Sequence, residues 1–162
     1  MLDVEIRLRV NGSPRRDSVP PRLTLADYLR ERCQLTGTHL GCEHGACGAC
    51  SVLLDGQAIR ACLMFAVQAD GSEVTTVEGI ASPDGALSPV QAALHEHHGL
   101  QCGFCTPGFV ISATAFLRDT PNPTEEQIRE ALSGNLCRCT GYQGIFKAVR
   151  AAAQAVSEEE KR

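Results

Sequence analysis

The sequence has no tryptophan, and Phe and Tyr together make up only 4% of its 162 residues. Any core must therefore be aliphatic and built in small pieces. A surplus of positive charge is missing as well. Fifteen Lys and Arg stand against 19 Asp and Glu, a net charge of −4, divided evenly between residues 1–78 and 79–162. That balance argues against nucleic acid or an anionic membrane as the main partner. Long apolar runs are absent too. The uncharged stretch Gln101–Leu117 is interrupted by Gly103, Pro107 and Gly108, and is too short and broken to span a bilayer. No basic region followed by an apolar one opens the chain, and Arg15-Arg16 is followed by Asp17, Pro20 and Pro21 rather than by an apolar run. The expected location is cytoplasmic.

Cysteine, by contrast, is abundant: there are nine, alongside 15 glycines. In a reducing compartment such a number points to metal or redox chemistry rather than to disulfides. The length allows one domain or two small ones, and the pattern along the chain favours two.

Residues 4–10 alternate apolar and charged, which predicts a half-buried strand; Asn11-Gly12 supplies a hairpin turn, and 14–19 the return strand. Thr24 caps a helix over 25–32, with Asp27 at its third position. A glycine-rich loop covers 37–48. Residues 51–54 and 57–63 pair about Asp55-Gly56, and 74–77 form a last strand. Strand pairs around one helix make a small α+β unit over 1–78. A linker over 79–87 follows, with Ser82, Pro83, Asp84 and Gly85. The second half changes period. Ser88-Pro89 starts a helix over 89–98, Thr106-Pro107 one reaching Arg118, the capping box Thr124-Glu-Glu-Gln127 one ending at Gly134, and a fourth runs over 143–156. Four short helices over 88–156 predict a small bundle, with 157–162 a charged, frayed tail.

Four cysteines of the first half stand as Cys42-x4-Cys47-x2-Cys50, with Cys62 after eleven intervening residues. The x4 then x2 spacing is the plant-type arrangement for a [2Fe–2S] cluster. A loop of that length can wrap a flat two-iron rhomb and offer three thiolates, while a neighbouring strand brings the fourth. Gly41, Gly45 and Gly48 let the backbone approach the inorganic sulfides. Zinc prefers two paired Cys-x2–4-Cys hooks, and the second is missing. A Rieske centre needs a second Cys-x2-His, also missing, so His44 is read as a loop residue near solvent. The second set is Cys102-x2-Cys105 with Cys137-x-Cys139, at two tips of the bundle that can converge on one site. Cys105 lies just before a helix start, which favours thiolate. By itself this spacing also admits zinc; beside a plant-type set, a second [2Fe–2S] cluster is the better reading. Cys33 is left over as a small buried apolar residue.

The segments Gly41-Cys-Glu-His-Gly-Ala-Cys-Gly-Ala-Cys50, Asp55-Gly56, Cys62, Gln101-Cys-Gly-Phe-Cys-Thr-Pro-Gly108 and Asn135-Leu-Cys-Arg-Cys-Thr-Gly-Tyr142 stand in order. Together they closely resemble the small iron–sulfur subunit of the molybdenum hydroxylases, of xanthine oxidase and aerobic carbon monoxide dehydrogenase type, over about residues 2–155. The resemblance implies an α+β chain: a β-grasp, plant-type ferredoxin-like domain followed by a four-helix [2Fe–2S] domain. It implies a large molybdopterin-binding subunit and a medium FAD-binding subunit as partners, in a dimer of heterotrimers. By position, Cys102, Cys105, Cys137 and Cys139 would hold the cluster nearer the molybdenum cofactor, with Cys139 close to the pterin edge. Cys42, Cys47, Cys50 and Cys62 would hold the cluster nearer the flavin. Gln101 matches the family glutamine whose amide bonds the pterin; without that likeness it is a polar residue at a helix end. The implied role is relay of single electrons from molybdopterin through two clusters to FAD, the substrate being set by the large subunit. Two alternatives stand beside it: a free-standing two-cluster electron carrier, which −4 supports weakly, and a zinc-stapled interaction domain.

Overall fold

The computed structural model describes residues 2–159. The alternating segment is β1 (Val4–Val10), which buries Ile6, Leu8 and Val10 and exposes Glu5, Arg7 and Arg9. Asn11 and Gly12 turn at φ 50° and 76° into β2 (Ser13–Val19), antiparallel to β1. Thr24 caps α1 (Leu25–Asp27), its hydroxyl accepting from the Asp27 N–H at 3.1 Å. The expected helix over 25–32 is present, but it widens after its first turn into a π-helical stretch, Tyr28–Arg32, closed by the Cys33 N–H on the Tyr28 carbonyl at 3.1 Å. The Tyr28 ring is fully buried there, its hydroxyl donating to Asp17 at 2.6 Å.

Three further strands complete one sheet: β3 (Ser51–Leu54), β4 (Gln57–Arg60) and β5 (Glu73–Thr75), in the order β2-β1-β5-β3-β4. β1 and β5 are parallel and the other neighbours antiparallel. α1 packs its Leu25 and Ala26, and the π-helical stretch its Leu29, into a core with Ile6, Leu8, Val19, Val52 and Val74. Two strands end earlier than the alternation predicts. β4 stops at Arg60 rather than 63, because residues 61–63 turn and the Ala61 N–H bonds the Cys50 carbonyl at 3.2 Å. β5 stops at Thr75, with a further turn over Val77–Gly79. A short 3-10 turn over Ala66–Ala69 has no counterpart in the sequence reading.

The second half holds α2 (Pro89–Glu96), α3 (Thr106–Asp119), α4 (Glu125–Ala131) and α5 (Gln143–Glu159). Thr124 forms the capping box expected of it, and Ser88, expected as a cap before Pro89, forms a capping box with Gln91 as well. α2 ends two residues short of 98 and α4 three short of Gly134, whereas α5 continues three residues into the expected tail; residues 160–162 lie outside the described residues. Val90, Leu94, Phe109, Val110, Ala113, Leu117, Ile128, Leu132, Ile145 and Val149 form the second core. No helix of the described residues is long and apolar enough to cross a membrane.

α3 is the element that joins the halves. Phe109, Val110, Ala113 and Leu117 face the bundle core. The other buried positions of α3, Gly108, Ile111, Ser112 and Ala115, recur at i, i+3, i+4 and i+7 and form a second stripe, and α3 packs against β3. A helix buried on two faces reads as apolar nearly all round.

Candidate metal centres

The loop between the π-helical stretch and β3 carries the first three thiols. Its conformation is set by close approach as much as by left-handed backbone. Gly41 sits where a Cβ would lie 3.1 Å from the Cys47 sulfur. Gly48 has φ 73°, and a Cβ there would lie 2.5 Å from the Gly134 carbonyl oxygen, in the other half of the molecule. The Cys47 N–H points at the Cys42 sulfur at 3.4 Å. Backbone amides of His44 and Cys47 hold the half-buried Cys42 thiol down to about 6. Cys50, buried beside Cys62, is pushed up to about 11, first by burial and then by that neighbour. The turn that ends β4 is what carries Cys62 to Cys50. His44 is exposed, its ring nitrogen 2.6 Å from the Cys42 carbonyl oxygen.

The second quartet draws on two segments far apart in sequence. Cys102 and Cys105 lie in the loop that opens α3, and Cys137 and Cys139 in the loop between α4 and α5. The Cys102 and Cys139 sulfurs are 3.5 Å apart and both residues are exposed. Cys105 and Cys137 form the inner pair, near enough for each thiol to shift the other. Burial, then Cys137, pushes Cys105 up to about 12, so the preference for thiolate expected at a helix start is overridden in the ligand-free chain. Burial also acts to raise Cys137, but the Thr140 hydroxyl, 3.1 Å from the sulfur, and the Thr140 amide, at 3.4 Å, outweigh it and lower the thiol. The Tyr142 hydroxyl accepts from the Cys137 N–H at 2.9 Å and fixes the loop.

Among the described residues, no three His, Cys, Asp or Glu side chains converge as ligands of a single ion would. The eight thiols instead come together two by two: Cys42 with Cys47, Cys50 with Cys62, Cys102 with Cys139, Cys105 with Cys137. That donor set would fit two binuclear iron–sulfur groups, with sulfur donors for each. Cys33 is 7% exposed and shut into the first core. Gln101 is exposed beside Cys102, and among the described residues its amide has no hydrogen-bond partner. Phe104, half exposed, stacks on His39 at 4.8 Å, and with Leu136 it gives the second quartet an apolar rim.

The two quartets are bridged through the backbone. The Leu136 N–H donates to the Cys47 carbonyl at 2.9 Å, so residues flanking one site bond a ligand residue of the other. Asn135, 2% exposed, donates from Nδ2 to the Gly48 carbonyl at 3.3 Å. Gly108 presses so closely on that carbonyl that no Cβ fits. In the sequence Gly48 is a residue that lets the backbone approach the sulfides, and Gly108 and Asn135 are only flanks of cysteines; their mutual contact has no local signal.

Residues 8–78 match the model of the 2Fe-2S iron-sulfur cluster binding domain, and residues 76–150 that of the [2Fe-2S] binding domain. The chain is 59% identical to the nicotine 6-hydroxylase small subunit of Paenarthrobacter nicotinovorans, over 90% of its own length and 87% of that protein's. It is 44% identical to the aldehyde oxidoreductase iron-sulfur-binding subunit of Escherichia coli K12, over 91% and 71%. Its structure superposes on a chain of quinoline 2-oxidoreductase from Pseudomonas putida 86 with a TM-score of 0.93 at 46% identity, covering 99% of each.

Proposed function

Because the chain belongs to the small iron–sulfur subunits of the molybdenum hydroxylases, we propose that Cys42, Cys47, Cys50 and Cys62 hold one [2Fe–2S] cluster and Cys102, Cys105, Cys137 and Cys139 a second. The chain is the electron-transfer subunit of such an oxidoreductase, working with a large molybdopterin-binding and a medium FAD-binding subunit. Its relatives are named as subunits, which sets the free-standing carrier aside. When bound, each cluster takes and passes one electron at a time, so that a two-electron oxidation reaches the flavin in single steps.

The chain's own residues do the rest. Cys47 N–H and the Thr140 hydroxyl and amide donate to ligand sulfurs and stabilise their negative charge. Exposed Cys102, Cys139 and Gln101, with the apolar rim of Phe104 and Leu136, form the face toward the molybdenum cofactor. Gln101 offers a donor and an acceptor together, which matches a pterin edge. The first quartet serves the flavin side. The hydrogen bond from Leu136 to Cys47 joins the two sites. The division into 1–78, a linker over 79–87 and 88–156, assembly as a dimer of heterotrimers, and a cytoplasmic location belong to the same reading.

The pairing of eight thiols two by two carries this proposal. Its test is metal analysis of the purified complex, together with electron paramagnetic resonance after reduction. We expect about four iron and four sulfide per chain and two distinct signals, since the two sites differ in exposure and donors. Zinc with little iron would establish the stapled interaction domain instead.

A further inference from the structure

Arg60 is the last residue of β4 and pairs across the sheet with Ser51, the first residue of β3. Its guanidinium is half buried at the seam between the halves. Nη1 donates to the Ser51 hydroxyl at 2.6 Å, and Nη2 to the Gly134 carbonyl at 2.7 Å. A Cβ on Gly134 would lie 2.7 Å from Nη2, so glycine there makes room for the cation. Ser51 in turn donates to the Gly48 carbonyl at 2.6 Å, the same oxygen that Asn135 reaches. The cation thus rests on residues that adjoin Cys50 on one side and approach Cys137 on the other, and lies two residues before Cys62.

Both of its acceptors are neutral, and among the described residues no carboxylate is within ion-pairing distance of it. Withdrawing a cation partly from water without a counter-charge is unfavourable unless something nearby is negative. The quartets supply that charge: four thiolates and the bridging sulfides outweigh the irons, and each site gains one further negative charge on reduction. We propose that Arg60 is a positioning residue that also supplies the positive charge between the two quartets, holding their loops in register and favouring electron uptake at both. This rests on the reading that the quartets hold [2Fe–2S] clusters.

The experiment is a redox titration of the intact complex, following the two paramagnetic signals in wild type, Arg60→Gln, Arg60→Lys and Ser51→Ala. Removing the cation destabilises the reduced form, so Arg60→Gln lowers both midpoint potentials. At a fixed potential the reduced-to-oxidised ratio of the first site falls about tenfold, equivalent to about 59 mV for a one-electron couple, with a smaller fall at the second. Arg60→Lys keeps the charge and stays near wild type. Ser51→Ala frees one side of the guanidinium and gives a smaller shift in the same direction. Should Arg60→Gln fail to assemble, an unmoved potential in Ser51→Ala overturns the proposal. Unmoved potentials in Arg60→Gln, or equal shifts in the Lys and Gln variants, overturn it as well. Absence of the two signals from wild type would remove the cluster reading and this inference with it; their presence with unmoved potentials removes this inference alone.

Discussion

A thiol that is to bind iron needs a partner thiol beside it and donors that stabilise sulfur's negative charge. The inner pair Cys105 and Cys137 shows both conditions, Thr140 donating twice to Cys137. Replacing Thr140 by Val removes the hydroxyl donor. The second site's potential should fall by the equivalent of about 1 kcal/mol, while Thr140→Ser retains it; a titration of the two paramagnetic signals separates the sites. Replacing Cys47 or Cys137 by Ser should cost roughly half the iron and give poor assembly, because such loops have little to organise them without metal. Iron and sulfide analysis, with protease resistance of the complex, checks this, and a native-like protein carrying full iron would contradict it. The proposed ligands of the first site are legible in spacing alone, and those of the second only beside the first set. The pairing of Cys50 with Cys62, and of Cys102 with Cys139, is not legible there, because it depends on turns that bring distant loops together.

At the scale of the element, α3 is the case that periodicity reads incompletely. Its bundle face is plain in Phe109, Val110, Ala113 and Leu117. Gly108, Ser112 and Ala115 look like unremarkable small residues until the sheet is laid against them. The Ser112 hydroxyl is buried with no partner among the described residues. Ser112→Ala should therefore leave stability unchanged or raise it by about 1 kcal/mol, whereas Ser112→Leu should lose roughly 1–3 kcal/mol by overpacking. Thermal loss of the cluster absorbance in the complex measures both, and equal tolerance of Leu would refute the close packing of α3 on β3. The shortened ends of β4 and α4 have a related origin. Each stops where the chain must turn to deliver a segment, Cys62 to Cys50 in one case and Asn135-Leu136 to the seam in the other.

For the whole molecule, the decisive matter is which end meets which partner. Gln101 and the exposed pair Cys102 and Cys139 lie together. On the proposed contact of Gln101 with the pterin, Gln101→Leu removes a donor and an acceptor and would leave groups of the cofactor unpaired, a loss of about 1–3 kcal/mol. Molybdenum content, or flavin reduction by substrate, should drop, while flavin reduction by an external donor survives. Cys33→Ala, at the thiol enclosed in the first core, should keep the molybdenum. Full molybdenum and wild-type substrate-driven flavin reduction in Gln101→Leu would count against this placement of the molybdenum cofactor.

The sequence by itself determined the local matters. These are the alternation that builds β1, the Asn11-Gly12 turn, the caps at Ser88 and Thr124, and the grouping of the cysteines into two quartets. Each depends on residues a few positions apart, whose geometry is fixed by backbone and hydrogen-bond stereochemistry. Only the tertiary structure decided that the two halves share α3, that Gly48, Gly108 and Asn135 interlock, and that Arg60 spans the seam. Those contacts join residues from 27 to 87 positions apart. They arise from the fit of two separately formed cores against each other, and no periodicity in a single segment encodes that fit.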